Sequence, residues 1–201
     1  MSASELPLAL RVFTGEPIQQ LSDADFMRCC EQNPFLRLER TPQRDIELNF
    51  LVGGTASEAM ADCLGQLWHW NRQMQLGKAF GSTAGFELPD KSVRSPNASW
   101  VSTAAWESRL SDRPDWFPTL CPAFVLEVKS HLHELAAVQV RMENYLLNGV
   151  QLGFLLDVEA ETAYIYRPGQ PAETVTGYEQ ELSGEPVLPG FRLDLRPLRR
   201  A

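Results

Sequence analysis

The sequence is poor in features that would announce a function on their own. Only four of its 201 residues are cysteine (Cys29, Cys30, Cys63 and Cys121), and none forms a CxxC pair. That spacing supports neither a zinc knuckle nor a disulfide framework, so reduced, mostly buried thiols are expected. No apolar run is long enough to cross a bilayer. The opening MSASELPLALRVFTGEP has a short apolar patch but no basic leader and no long apolar core, so it does not read as a secretory signal. A soluble, cytoplasmic protein is the expectation. Basic residues are also few: 18 Lys and Arg stand against 26 Asp and Glu, a formal net charge of −8. This argues against nucleic-acid binding through bulk positive charge, while leaving room for a small, locally basic cleft. Internal repeats, low-complexity tracts and inter-domain linkers are absent from the sequence.

What remains is an ordinary globular mixture, 44% hydrophobic and 22% charged, long enough for one domain with a sizeable core. Residues 1–21 read as an extended arm, because Pro7 and Pro17 break any helix; residues 22–201 form the domain. Ser22 can cap a helix that begins at Asp23, where Asp23 and Asp25 suit the positive end of the dipole. That helix, DADFMRCCEQ, ends before Asn33-Pro34. FLRLER and IELNFLV alternate apolar and polar residues and read as a β-hairpin.

From Ala56 to Leu76 the apolar residues recur at helical spacing, with Met60, Cys63, Leu64, Leu67, Trp68 and Met74 largely on one side. Gly77 is placed to stop that helix. Short strands are expected around Ala79–Ser82, Gly85–Leu88 and Ala98–Ser102, with LPDKS as a turn, followed by a short helix AAWESRL capped by Thr103. A proline-rich loop, SDRPDWFPTLCP, leads into AFVLEVKS (Ala123–Ser130), whose mostly apolar composition suits a central strand covered on both faces. A second long helix runs from Leu132 to Leu147. LGFLLDV and TAYIYRP form another hairpin, and ETVTGY and FRLDL add late edge strands. The order indicates an α/β (α+β) single domain: a mixed β-sheet flanked by helices.

The chemistry-bearing candidates lie on two of these strands. Side chains two apart on a strand share a face, so Glu127 and Lys129 project together from AFVLEVKS. In metal-dependent phosphodiester hydrolysis, carboxylates hold Mg²⁺ or Mn²⁺, the ion lowers the pKa of a bound water, and a lysine positions that water or stabilises developing charge. A charged pair within an apolar segment needs a reason. A solvated strand face, or a Glu–Lys pair satisfied locally, is the competing explanation.

A set of longer stretches carries a resemblance: RLERT in the first hairpin, GGT before the long helix, and LWHWNRQMQLGKAFGSTAGFELPDKSVRSPNASWVSTAAW. FPTLCPAFVLEVKS, RMENYLLNGVQLGFLLD, IYRPGQP and LSGEPVLPGFRLDL follow. From about Glu39 to Leu195 the chain resembles the Uma-two family of restriction-endonuclease-like proteins, with the PD-(D/E)xK nuclease fold. The resemblance implies a mixed sheet with flanking helices, divalent-metal chemistry on DNA, and often a homodimer. It makes Glu127 and Lys129 the catalytic pair and Asn97, Glu127 and Glu39 the metal ligands, with Mg²⁺ or Mn²⁺ as the ion. Gln139 and Arg141 match a polar and a basic position on the following helix. They can orient a phosphate or the carboxylates, or simply form a solvated helix face.

Two positions depart from the family. Asn97 stands where the family has aspartate, and Ala123 where it usually has another. An amide offers a metal one neutral oxygen and no charge, whereas Mg²⁺ favours anionic oxygens. Glu39, Glu127 and Asp90 are the acids available to compensate. Two functions are therefore expected, a metal-dependent DNA endonuclease impaired by Asn97 or a degenerate nuclease-fold protein acting by binding or dimerisation; a third is a nuclease fold that uses a different ion through His131 and His133. His131 and His133, in SHLHE, lie outside the family pattern. They can bind a transition metal on an extended segment, or be loop histidines at a helix start. His69, between Trp68 and Trp70, is expected to pack. The tryptophans can stack bases, though at helical positions they suit a core or a dimer surface.

Overall fold

The structure is a computed structural model that describes residues 20–49, 51–109 and 117–199. Most of the expected N-terminal arm and the first half of the proline-rich loop lie outside the described residues. The first helix, α1 (Asp23–Gln32), starts as expected, with the Ser22 hydroxyl accepting from the Asp25 N–H at 3.1 Å. It packs on a small antiparallel sheet of order β2-β1-β5-β4, comprising β1 (Arg37–Arg40), β2 (Ile46–Asn49), β4 (Phe86–Glu87) and β5 (Val93–Arg94). The strand β5, two residues long and followed closely by Pro96, is too short to show as an alternating pattern.

The main sheet has six strands, β3 (Gly77–Gly81), β6 (Ala98–Ser102), β7 (Phe124–Lys129), β8 (Leu152–Asp157), β9 (Thr162–Tyr166) and β10 (Glu173–Thr176), in the order β10-β9-β8-β7-β6-β3. Only β7 and β8 run parallel. The crossover between them is α4 (Leu135–Leu147), as a parallel connection requires. The mixed sheet and its flanking helices match the expected α/β class.

The sheet is covered on both sides, which explains the unbroken apolar run of β7. Phe124, Leu126 and Val128 face α2 (Gly54–Met74), in a core with Leu67, Trp70, Trp100 and Phe191. Val125 faces the other way, toward Val138, Met142 and Tyr145 of α4. The last pair of strands, β11 (Glu181–Ser183) and β12 (Arg192–Asp194), forms its own two-stranded sheet. Thus FRLDL pairs there and does not lie on the main sheet's edge.

Local differences from the sequence reading have clear causes. The α2 helix ends at Gln75, which takes the left-handed conformation at φ 55°. Gly77 instead opens β3, where an added Cβ would lie 2.2 Å from the Val101 carbonyl oxygen and 2.7 Å from the Trp100 ring. The short helix α3 (Thr103–Ser108) is capped by Ser102, one residue earlier than expected. The α4 helix begins at Leu135, not Leu132, because Ser130–His133 forms a turn. There the Leu132 N–H donates to Ser130 Oγ, and the His133 N–H to the Ser130 carbonyl.

Of the face assigned to α2, Cys63 and Leu67 are buried but Trp68 is 53% exposed, with the Arg72 guanidinium over its ring, and Met74 is also exposed; Trp70, outside that face, is buried instead. His69 is exposed and hydrogen-bonds Gln73, so it does not pack. Cys29 and Cys63 are buried, Cys30 and Cys121 half-buried, and all four are free thiols. None of the described helices is long and apolar enough to cross a membrane.

Candidate active site

Glu39 reaches the site from β1. Antiparallel pairing sets it directly opposite Glu47 on β2, and like charges across a ladder repel. The arrangement holds because two guanidiniums stand over the pair. Arg94, on β5, donates to Glu39 Oε2 at 3.3 Å and also bonds Glu47. Arg141, on α4, donates from Nη2 to both Glu39 oxygens at 2.7 Å. The Ser95 N–H adds a bond to Oε1 at 3.0 Å. The Glu39 side chain is 0% exposed. Burial pushes its carboxyl upward, but the Arg141 and Arg94 charges and these hydrogen bonds outweigh it, leaving the pKa below the ordinary glutamate value.

Glu127 reaches the same guanidinium from the other side. The α4-facing side of β7 carries it there, and Arg141 Nε donates to its Oε1 at 3.0 Å. The Tyr145 hydroxyl donates to the same oxygen at 3.0 Å. Arg141 and Tyr145 are four apart on α4 and so share a face. Burial first, then the nearby acids, holds the Tyr145 hydroxyl protonated, well above its usual range. Arg141, despite the cost of burial, is held charged by the acids around it.

Asn97 precedes β6 and is buried. Its Oδ1 accepts from the Val128 N–H at 2.8 Å, tying the start of β6 to β7 just beyond the last paired residues. Lys129 shares the Glu127 face but turns toward the neighbouring strand. Its register partner on β8 is Asp157, and Nζ lies 3.3 Å from Asp157 and 3.7 Å from Glu159. Asp90 is engaged elsewhere, with Ser92 and Asn148. His131 is exposed, and His133 pairs through Nδ1 with Ser130 Oγ at 2.9 Å.

The structure therefore joins Glu39 and Glu127 through Arg141, places Asn97 against the β7 backbone, and draws Lys129 toward β8. Arg94, Ser95, Tyr145 and Asp157 complete the contacts and were not singled out from the sequence. The i, i+4 spacing of Arg141 and Tyr145 was the one available signal for Tyr145.

A hard divalent cation needs anionic oxygens that it can reach without competition. Here both Glu39 oxygens and Oε1 of Glu127 already accept from guanidinium groups, and the Asn97 oxygen accepts from a backbone N–H. Among the described residues, no three His, Cys, Asp or Glu side chains are gathered as an ion would need. As arranged, this donor set does not fit Mg²⁺ or Mn²⁺.

Comparison with known proteins identifies the fold's relatives. The family model Uma2, described as "Putative restriction endonuclease", matches residues 23–196. Among solved structures, the crystal structure of "a putative nuclease belonging to DUF820 from Anabaena variabilis" superposes with a TM-score of 0.74. It shares 18% identity and covers 89% of this chain and 97% of that one. At that identity the likeness carries the fold alone. No curated protein matches the chain.

Proposed function

We propose that this chain, which belongs to the Uma2 family of restriction-endonuclease-like proteins, is an endonuclease-type protein directed at DNA phosphodiesters whose hydrolysis is strongly impaired. The family description supports the DNA-cleaving lineage. The carrying observation for the impairment is the Arg141 bridge between Glu39 and Glu127. Asn97 adds to it, supplying a neutral oxygen that is already hydrogen-bonded. In this reading Glu127 and Glu39 are the acids of the site and Asn97 is the weakened ligand. Lys129 is the basic residue of the motif, held off by Asp157. Hydrolysis at such a site takes an activated water that attacks phosphorus. Acids paired with guanidinium do not hold an Mg²⁺ or Mn²⁺ ion firmly, and Glu39, whose pKa is held down by Arg141 and Arg94 despite its burial, accepts a proton less readily.

The test is plasmid nicking in Mg²⁺ and in Mn²⁺ by wild type, Asn97→Asp and Glu127→Ala. Wild type is expected to nick slowly or not at all, and Asn97→Asp to bind the ion more tightly. Rapid wild-type nicking that Glu127→Ala abolishes would overturn the impairment. No gain in ion affinity from Asn97→Asp would remove residue 97 from the site.

A second reading, action through binding or dimerisation alone in the cytoplasm, is favoured by the net charge of −8, which repels DNA. Trp68, exposed on α2, is then the centre of a homodimer surface. Sedimentation equilibrium of wild type and Trp68→Ser separates the two: a dimer lost on substitution, with no retention of duplex DNA by wild type, favours this reading.

A further inference from the structure

One guanidinium serves three carboxylates from three strands. Arg141 Nη2 lies 2.7 Å from Glu39 on β1, Nε lies 3.0 Å from Glu127 on β7, and Nη1 lies 3.8 Å from Glu47 on β2. A planar group with five fixed donors can do this; a lysine ammonium, a single point on a flexible stem, cannot match it. The Arg141 side chain is only 21% exposed, and that of Glu39 is fully enclosed.

We infer that Arg141 is a resident counter-ion: it occupies the position between Glu39 and Glu127 that a divalent cation would take, and so makes the site metal-independent. This rests on reading Glu39 and Glu127 as the acids of the nuclease site. Charge balance supports it. The two buried acids, Glu39 and Glu127, face two guanidiniums, Arg94 and Arg141, and Glu47, 45% exposed, pairs with the same two guanidiniums from the solvent side. Adding a dication to that set places it against two positive groups. Asn97 belongs to the same balance, because a carboxylate at that position would leave the buried cluster one negative charge in excess. Residue 141 is a basic position in the family pattern as well, so the departure is the amide at residue 97: with it, no third buried acid is left to offset the Arg141 charge held between Glu39 and Glu127.

Geometry also distinguishes this arrangement from an ion site seen without its ion. Carboxylates sharing a cation converge on one point at about 2.1 Å from each oxygen for Mg²⁺. Here they are spread around the rim of a guanidinium, and Tyr145 fixes Glu127 from behind. Removing the arginine leaves buried, uncompensated acids that an added cation can draw together.

The experiment measures Mn²⁺ itself, by calorimetry and by thermal melting of the full chain, in wild type, Arg141→Met, Arg141→Lys and Asn97→Asp/Arg141→Met. Mn²⁺ is expected to leave the wild-type melting temperature unchanged and to raise that of Arg141→Met. The dissociation constant should fall by roughly thirtyfold, the factor for removing one unit charge about 4 Å from a dication even at the dielectric of water. The double variant should bind more tightly still, and Glu127→Ala in the Arg141→Met background should abolish the gain. Arg141→Lys, which keeps the charge but cannot span three acids, should fold and bind with intermediate affinity. Tight Mn²⁺ binding by wild type overturns the inference, as does Arg141→Met binding no better than wild type. If Arg141→Met folds only with Mn²⁺ present, the ion has replaced the guanidinium and the inference stands. If neither position-141 variant folds even in Mn²⁺, it falls. Plasmid nicking and duplex-DNA retention by wild type are read separately, so failure of the DNA assignment leaves the Mn²⁺ result interpretable.

Discussion

Replacing Glu39 by glutamine tests the electrostatic core of the site without opening a cavity. The change keeps the shape of the side chain and removes its charge. Arg141 and Arg94 then face a neutral amide whose N–H₂ points donors at donors, in a position with no solvent access. Removing one partner of a buried ion pair typically costs about 3–5 kcal/mol. Arg141 and Arg94 keep some contact with water, at 21% and 10% exposure, which places the expected loss near the lower end, about 3 kcal/mol. For a domain of this size that is a drop of about 6–12 °C in melting temperature.

Urea denaturation at neutral pH, followed through acid, is the assay. The Glu39 carboxyl has a depressed pKa in the folded state. Its stabilisation is therefore fully present above the unfolded-state value and lost as pH falls through the folded-state value. The gap between wild type and Glu39→Gln should be wide at neutral pH and should close in acid, once both side chains are neutral. A gap under about 1 kcal/mol at neutral pH, the size of an exposed pair, would refute the reasoning. So would a gap that does not change with pH.

Two further substitutions test the supports of the site. Tyr145→Phe removes the hydrogen bond to Glu127 and nothing else; a loss of about 1.5–3 kcal/mol by urea denaturation is expected for a bond to a charged group, and no loss would place the hydroxyl outside the network. Gly77→Ala drives a methyl to 2.2 Å from the Val101 carbonyl, so a loss of about 1–3 kcal/mol is expected from overpacking, with hydrogen exchange accelerated in β3; an unchanged melting curve would show that the β3–β6 pairing moves apart easily.

The fold was legible wherever a single element carried its own pattern. The capped first helix, the two hairpins, the long helix ending near Gln75 and the apolar β7 all follow from periodicity and local capping, physics that acts within a few residues. The misses come from contacts distant in the chain. Gly77 reads as a helix stop by itself, yet it is required by a strand laid across it from Val101. Trp68 and Trp70 are equally apolar in the sequence, and only the docking of Phe191 and Trp100 against one of them decides which is buried. The start of α4 moved because a serine hydroxyl offered the backbone a turn in place of a first helical turn.

The site divides along the same line. Glu39, Asn97, Glu127 and Lys129 were identifiable as residue types at telling positions, but what each contacts depends on strand order. Lys129 shares a face with Glu127, which suggests a pair; the parallel neighbour β8 brings Asp157 alongside and turns the ammonium toward it. Arg141 reads as one basic residue on a helix, and nothing local shows that the crossover of α4 carries it over the Glu39–Glu47 pair of a separate sheet. Asn97 is thereby explained in part. An amide oxygen suffices to accept the Val128 N–H that ties β6 to β7, and the charge an aspartate would add has no unpaired cation to meet while Arg141 is present. Under the proposed reading, the amide at residue 97 weakens ion binding, and Arg141, 44 positions later in the sequence, supplies the positive charge that the buried Glu39 and Glu127 need.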